Sequence, residues 1–121
     1  MKSKHILMIA ATSGMLSVAL GAFGAHALKD TLSAYGRVET FELAVRYQFI
    51  HTLVLLFLGL DTTQNHKWSA LLFIGGILLF SGSLYFLALT NSTAQVLVTP
   101  LGGTLLIAGW VVLLRNFIKR A

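Results

Sequence analysis

Residues 68–114, WSALLFIGGILLFSGSLYFLALTNSTAQVLVTPLGGTLLIAGWVVLL, run for 47 positions without one Asp, Glu, Lys or Arg. At about 1.5 Å per residue, a single helix of that length would reach roughly 70 Å, more than twice the thickness of a hydrocarbon core of about 30 Å. The stretch must therefore turn back on itself, and it carries the means to do so. Asn91, Ser92 and Thr93 are turn formers, and Thr99-Pro100 offers an N-cap followed by proline at the first helical position. Two antiparallel spans follow, over 68–90 and 100–118, with Arg115 able to snorkel toward headgroups. Strands are excluded because the runs are too long and lack the alternation of a membrane barrel.

Two more apolar stretches precede this hairpin, at 6–27 and 43–60. The first also has features of a secretory signal: Lys2 and Lys4 at its start, and Ala25-His26-Ala27 in a small-x-small pattern. Its 22 residues exceed a signal core of about 7–15, and Ser13, Gly14, Ser17 and Gly21 suit a packed helix, so it reads as a span. Between these stretches, Gly36 divides the longest loop. Val38, Phe41 and Val45 fall at helical spacing after it, predicting a short interfacial helix that continues into the second span. Glu42 and Arg46 have the acid-first spacing of an intrahelical pair. The expected fold is all-α: a single membrane domain over 1–121, built as an integral four-helix antiparallel bundle.

Composition agrees. Hydrophobic residues make up 56% of the 121 and charged residues 11%, against about 25% charged in a soluble domain. A soluble chain this short could not bury so much apolar surface, whereas a bilayer solvates it. The net charge of +5 invites a nucleic-acid reading, but the basic residues lie outside or near the ends of the apolar runs. The expected partners are the lipid bilayer and a homo-oligomer or membrane-protein partner, not nucleic acid. Four spans put both termini on one side, together with Lys2, Lys4, Lys67, Arg115, Lys119 and Arg120. The other side has Lys29, Arg37 and Arg46, balanced by Asp30, Glu39 and Glu42, so both termini are expected in the cytoplasm. Trp68 and Trp110 fall where interfacial anchors would sit on that side.

Helix association in lipid needs small residues or interhelical hydrogen bonds. Ser13, Ser17 and Gly21 stripe the first helix; Gly75, Gly76 and Gly82 mark the third; Gly102, Gly103 and Gly109 mark the fourth. The same topology gathers polar residues toward the end of the bundle opposite the termini: His26, Arg46, Tyr47, Gln48, His51, Ser81, Ser83, Tyr85 and Thr99, with Thr104 nearby. Such a cluster either pairs within the bundle or marks a site for a proton or small polar ligand. Two histidines without a cysteine or third ligand do not make a metal centre. No carboxylate is placed to orient a base and there is no nucleophile elbow, so no catalytic residues and no cofactor are expected.

Four motifs carry a resemblance: GAFGAHAL at 21–28, AVRYQFIH at 44–51, FSGSLYFLALT at 80–90 and TPLGG at 99–103. Together they resemble the YgdD-like small bacterial inner-membrane proteins, a family of unknown function related to small eukaryotic TMEM-type proteins. The resemblance implies four helices in the inner membrane and supplies no reaction. It marks His26, Arg46, Tyr47, His51, Ser81, Ser83, Tyr85 and Pro100 as motif positions. A non-enzymatic scaffold, assembly or accessory protein is the first expectation. A small-solute or proton transporter is the second, although the first span lacks the carboxylate that small multidrug exporters use. A membrane enzyme acting on a lipid headgroup is the third.

Overall fold

The computed structural model describes residues 1–120. Four apolar helical segments are each long enough to cross a membrane: Ser3–Ala25, Val38–Leu60, Lys67–Thr90 and Val98–Arg120. We label the helices α1 (Ser3–Ala25), α2 (Lys29–Tyr35), α3 (Val38–Leu60), α4 (Lys67–Gly76), α5 (Gly82–Thr90) and α6 (Val98–Arg120). A π turn over Ile77–Ser81 joins α4 to α5 within the third span. The described residues contain no strand.

The short helix between the first two spans lies before Gly36, not after it. Leu32 drives α2 by plugging the end of the bundle against Phe41 and Ala88. Gly36 then ends α2 in the left-handed region at φ 66°, with Gly36 N–H donating to Ser33 and Arg37 N–H to Leu32. This is the paired closure glycine permits at a helix end. The helix expected after Gly36 is the continuous start of α3 at Val38, five residues before the sequence-based boundary at 43. Glu42 and Arg46 do not pair. Both ion pairs among the described residues fall on Asp61, from His66 at 2.9 Å and Arg120 at 3.5 Å.

The helices pack mainly in chain order: α1 on α3, α3 on the π turn and α5, and α4 with the π turn on α6. The α1–α3 contact advances in steps of seven on both helices. Leu7 meets Gly59, Gly14 meets Thr52, and Gly21 meets Val45. That repeat is the seam of a left-handed antiparallel pair. The pairing of α4 and the π turn with α6 is similar: Phe73 packs on Gly109, Phe80 lies against Gly102, and Leu106 fills the hollow at Gly76. Gly102 is the tightest point, because a Cβ there would collide with the Phe80 backbone nitrogen.

The packing glycines thus divide. Gly76, Gly102 and Gly109 permit close approach, while a Cβ added at Gly21, Gly75 or Gly103 would make only ordinary contacts, at 3.4–3.7 Å. Gly82 faces outward with nothing within 4 Å, contrary to its expected packing role. Gly24, not counted among the packing positions, closes on the Phe41 ring. An apolar core gathers Ile6, Leu55, Leu58, Phe73, Leu106 and Leu113. Large side chains such as Met15, Val18, Leu78, Ile107 and Leu114 face outward, where lipid would solvate them.

Candidate functional site

Gln48 is buried near the centre of α3, where its amide links three spans. Its Nε2 donates to the Ser13 carbonyl at 3.2 Å and approaches Ser13 Oγ at 3.3 Å. Its Oε1 accepts from Tyr85 OH at 2.6 Å. The carbonyl can only accept, so these partners fix which end of the amide faces α1. Ser13 Oγ continues the chain to Thr52 Oγ1 at 2.6 Å, and Ser17 Oγ donates to the Ser13 carbonyl at 2.8 Å. Tyr85 also sets its ring edge-on to Phe41, with centroids 5.2 Å apart.

His51, one turn further along α3, belongs to a separate group. Its Nδ1 lies 2.7 Å from the Tyr47 carbonyl, and Trp110 Nε1 donates to its Nε2 at 3.1 Å. A carbonyl only accepts and an indole N–H only donates, so the ring is the neutral tautomer with its proton on Nδ1. Phe73 and Trp110 box the imidazole, at centroid distances of 5.6 and 6.0 Å. Trp110 sits mid-helix against this histidine, rather than at the membrane interface as its position suggested. Trp68 remains exposed at the start of α4 beside Lys67.

The other polar residues are dispersed. Ser81, the last residue of the π turn, donates to the Ala44 carbonyl at 2.8 Å. Ser83 Oγ donates to the Phe80 carbonyl at 3.0 Å and lies 2.5 Å from Thr99 Oγ1. Thr99 therefore joins α5 to α6, and α6 begins at Val98 rather than at Pro100. Thr104 donates to the Pro100 carbonyl within α6. His26 is exposed at the end of α1, away from His51, while the Arg46 side chain opens onto the surface. The structure thus brings together Gln48 and Tyr85 with Ser13, and separately Tyr47 and His51 with Trp110. Ser13, Thr52 and Trp110 are the members that the polar grouping omitted. Ser13 and Thr52 were legible as facing positions on helices packed in antiparallel register; Trp110 gave no such signal.

A third polar group lies at the end of the bundle where α1 begins and α6 ends. The Asp61 carboxylate caps the corner after α3. It accepts from Thr63 N at 3.0 Å and lies 2.9 Å from His66 Nε2 and 3.5 Å from Arg120 Nη1. The His66 hydrogen bond, then the Thr63 hydroxyl and amide, and the Arg120 charge hold this carboxyl well below the usual carboxylate range. Among the described residues no three His, Cys, Asp or Glu side chains converge to hold a metal ion.

Known proteins resemble the whole chain. The family described as "Protein of unknown function (DUF423)" matches residues 20–103. A "UPF0382 membrane protein" of Staphylococcus epidermidis is 44% identical, covering 98% of each chain. The "UPF0382 inner membrane protein YgdD" of Escherichia coli K12 is 41% identical, covering 98% of this chain and 93% of that one. No solved structure matches. A four-span membrane architecture and these two near-full-length likenesses agree with the family match, and the chain belongs to the DUF423 family of membrane proteins, which has no assigned biochemical role.

Proposed function

We propose that this protein is a non-enzymatic scaffold, assembly factor or accessory subunit of the bacterial inner membrane, with both termini in the cytoplasm. The observation that carries this reading is the use of the central polar side chains by one another. Gln48 engages Tyr85 and Ser13, while His51 is occupied on both nitrogens by Tyr47 and Trp110. Paired groups of this kind hold helices together in lipid, each for about 0.6 and at most roughly 2 kcal/mol. The same pairing argues against a proton-coupled transporter, because His51 has no free nitrogen to carry a proton along a path. The inner-membrane location is supported by the name of the Escherichia coli relative and by the four apolar spans. The orientation is supported by the six basic residues on the side of the termini.

Full-length protein, purified from its native membrane in a mild detergent, tests this reading. Recovery of a stoichiometric membrane-protein partner, or of a defined homo-oligomer, is the expected outcome. A lone monomer under the same conditions, or proton or solute flux in proteoliposomes, would overturn it.

A further inference from the structure

At the end of the bundle opposite the termini, a groove of about 390 Å³ opens between α1, α2 and the first turns of α3. Its walls include Leu32, Phe41 and Val45, and three charged side chains line it: Lys29, Glu42 and Arg46. All three are exposed, and none belongs to an ion pair among the described residues. Their depth matters. Counted back from Leu60, about 20 residues of α3 cover a core of about 30 Å, which places the far boundary near Phe41. Arg46 then lies about 7 Å inside that boundary, where an unpaired guanidinium is costly and its side chain reaches outward for an anion. Glu42 lies one turn nearer the boundary on the same groove and does not supply that anion.

We infer that this groove binds the headgroup of a phosphoethanolamine lipid from the adjacent leaflet. Arg46 and Lys29 take the phosphate, Glu42 accepts hydrogen bonds from the primary ammonium, and the glycerol and first methylenes rest on Leu32, Phe41 and Val45. The charges select this headgroup. Glu42 opposes a purely anionic lipid such as a phosphatidylglycerol, and the quaternary ammonium of a phosphatidylcholine has no N–H to donate to it. The site goes beyond the scaffold reading and stands without it.

The test is native mass spectrometry of the full-length protein after exchange into equimolar phosphatidylethanolamine, phosphatidylcholine and phosphatidylglycerol with identical acyl chains. Wild-type protein retains phosphatidylethanolamine over the other two by about tenfold, the ratio that one charge-assisted hydrogen bond supports. Arg46→Gln lowers retention of all three lipids and Arg46→Lys keeps most of it, while Glu42→Gln loses the preference for phosphatidylethanolamine and shifts retention toward phosphatidylglycerol. Arg115→Gln, near the other end of the bundle, leaves the preference intact, and thermal melting checks the fold of each variant. Equal retention of the three lipids by wild type, a preference for phosphatidylglycerol, unchanged lipid retention in folded Arg46→Gln, or an unchanged preference in folded Glu42→Gln would overturn the inference.

Discussion

Gln48 and Asp61 show two ways in which a single side chain ties the bundle together. Gln48 spends its donors on α1 and its acceptor on α5, so a change there is felt on three spans. Gln48→Met keeps the length but leaves Tyr85 OH and Ser13 without this partner. We expect a loss of about 1–3 kcal/mol, measured by reversible unfolding in mixed micelles, since each interhelical bond in lipid is worth about 0.6–2 kcal/mol. Asp61 acts at the surface. Its carboxyl is held below its ordinary range by His66, Thr63 and Arg120, so the ionised form is favoured by folding. A depressed folded value gives stability that is present above the unfolded Asp value of about 3.9 and is lost as pH falls toward the folded one. Asp61→Asn should therefore lower the Tm at pH 7, and the gap from wild type should narrow progressively below about pH 4. A gap independent of pH over that range would show that the carboxylate charge is not what matters.

Among the elements, the third span departs most from a regular helix. The π turn over Ile77–Ser81 keeps its backbone bonded, with Gly82 N–H reaching the Ile77 carbonyl, as lipid demands. One extra residue in the turn rotates all that follows by about 100°. Phe73 before the turn consequently packs against α6, while Ser81 at its end and Tyr85 after it address α3. Gly102 of α6 crosses at this turn, and Gly82 is left facing outward. These two glycines should therefore respond in opposite ways to the same change. Gly102→Ala forces α6 off the Phe80 backbone and should lower stability by about 2 kcal/mol or more, as overpacking of a close contact does. Gly82→Ala meets nothing and should be neutral or stabilising by up to about 1 kcal/mol, the gain in helix propensity. Paired unfolding curves in one detergent measure both.

For the molecule as a whole, the arrangement of charge carries the proposed orientation. The chain has no cysteine, so single-cysteine variants report sidedness cleanly. Ser92→Cys lies in the loop before α6, and Gln64→Cys in the turn between α3 and α4. An impermeant maleimide should label the first in intact cells and the second only after permeabilisation. The reverse pattern would invert the orientation and put the proposed lipid site in the cytoplasmic leaflet. Packing in chain order also leaves lateral openings between helices, one of about 380 Å³ beside α1 and one of about 640 Å³ running past Arg46, Tyr47 and Trp110.

The sequence by itself determined the class of fold. A run of 47 uncharged residues with turn formers inside it admits only a helical hairpin in a membrane, because the bilayer fixes span length and demands internal hydrogen bonding. Residue type also marked Gln48, His51 and Tyr85 as costly to leave unpaired. Their partners were decided only by the tertiary structure. Helical spacing says which residues share a face, but not which face meets which neighbour or at what depth. The polar residues expected as one cluster separate because α3 turns Gln48 toward α1 and α5 but His51, one turn on and offset by about 60° around the helix, toward α6. The π turn adds a further rotation that no helical period contains. A glycine at 82 and one at 102 look alike in the sequence; the packing of α6 across that turn makes one open and the other indispensable.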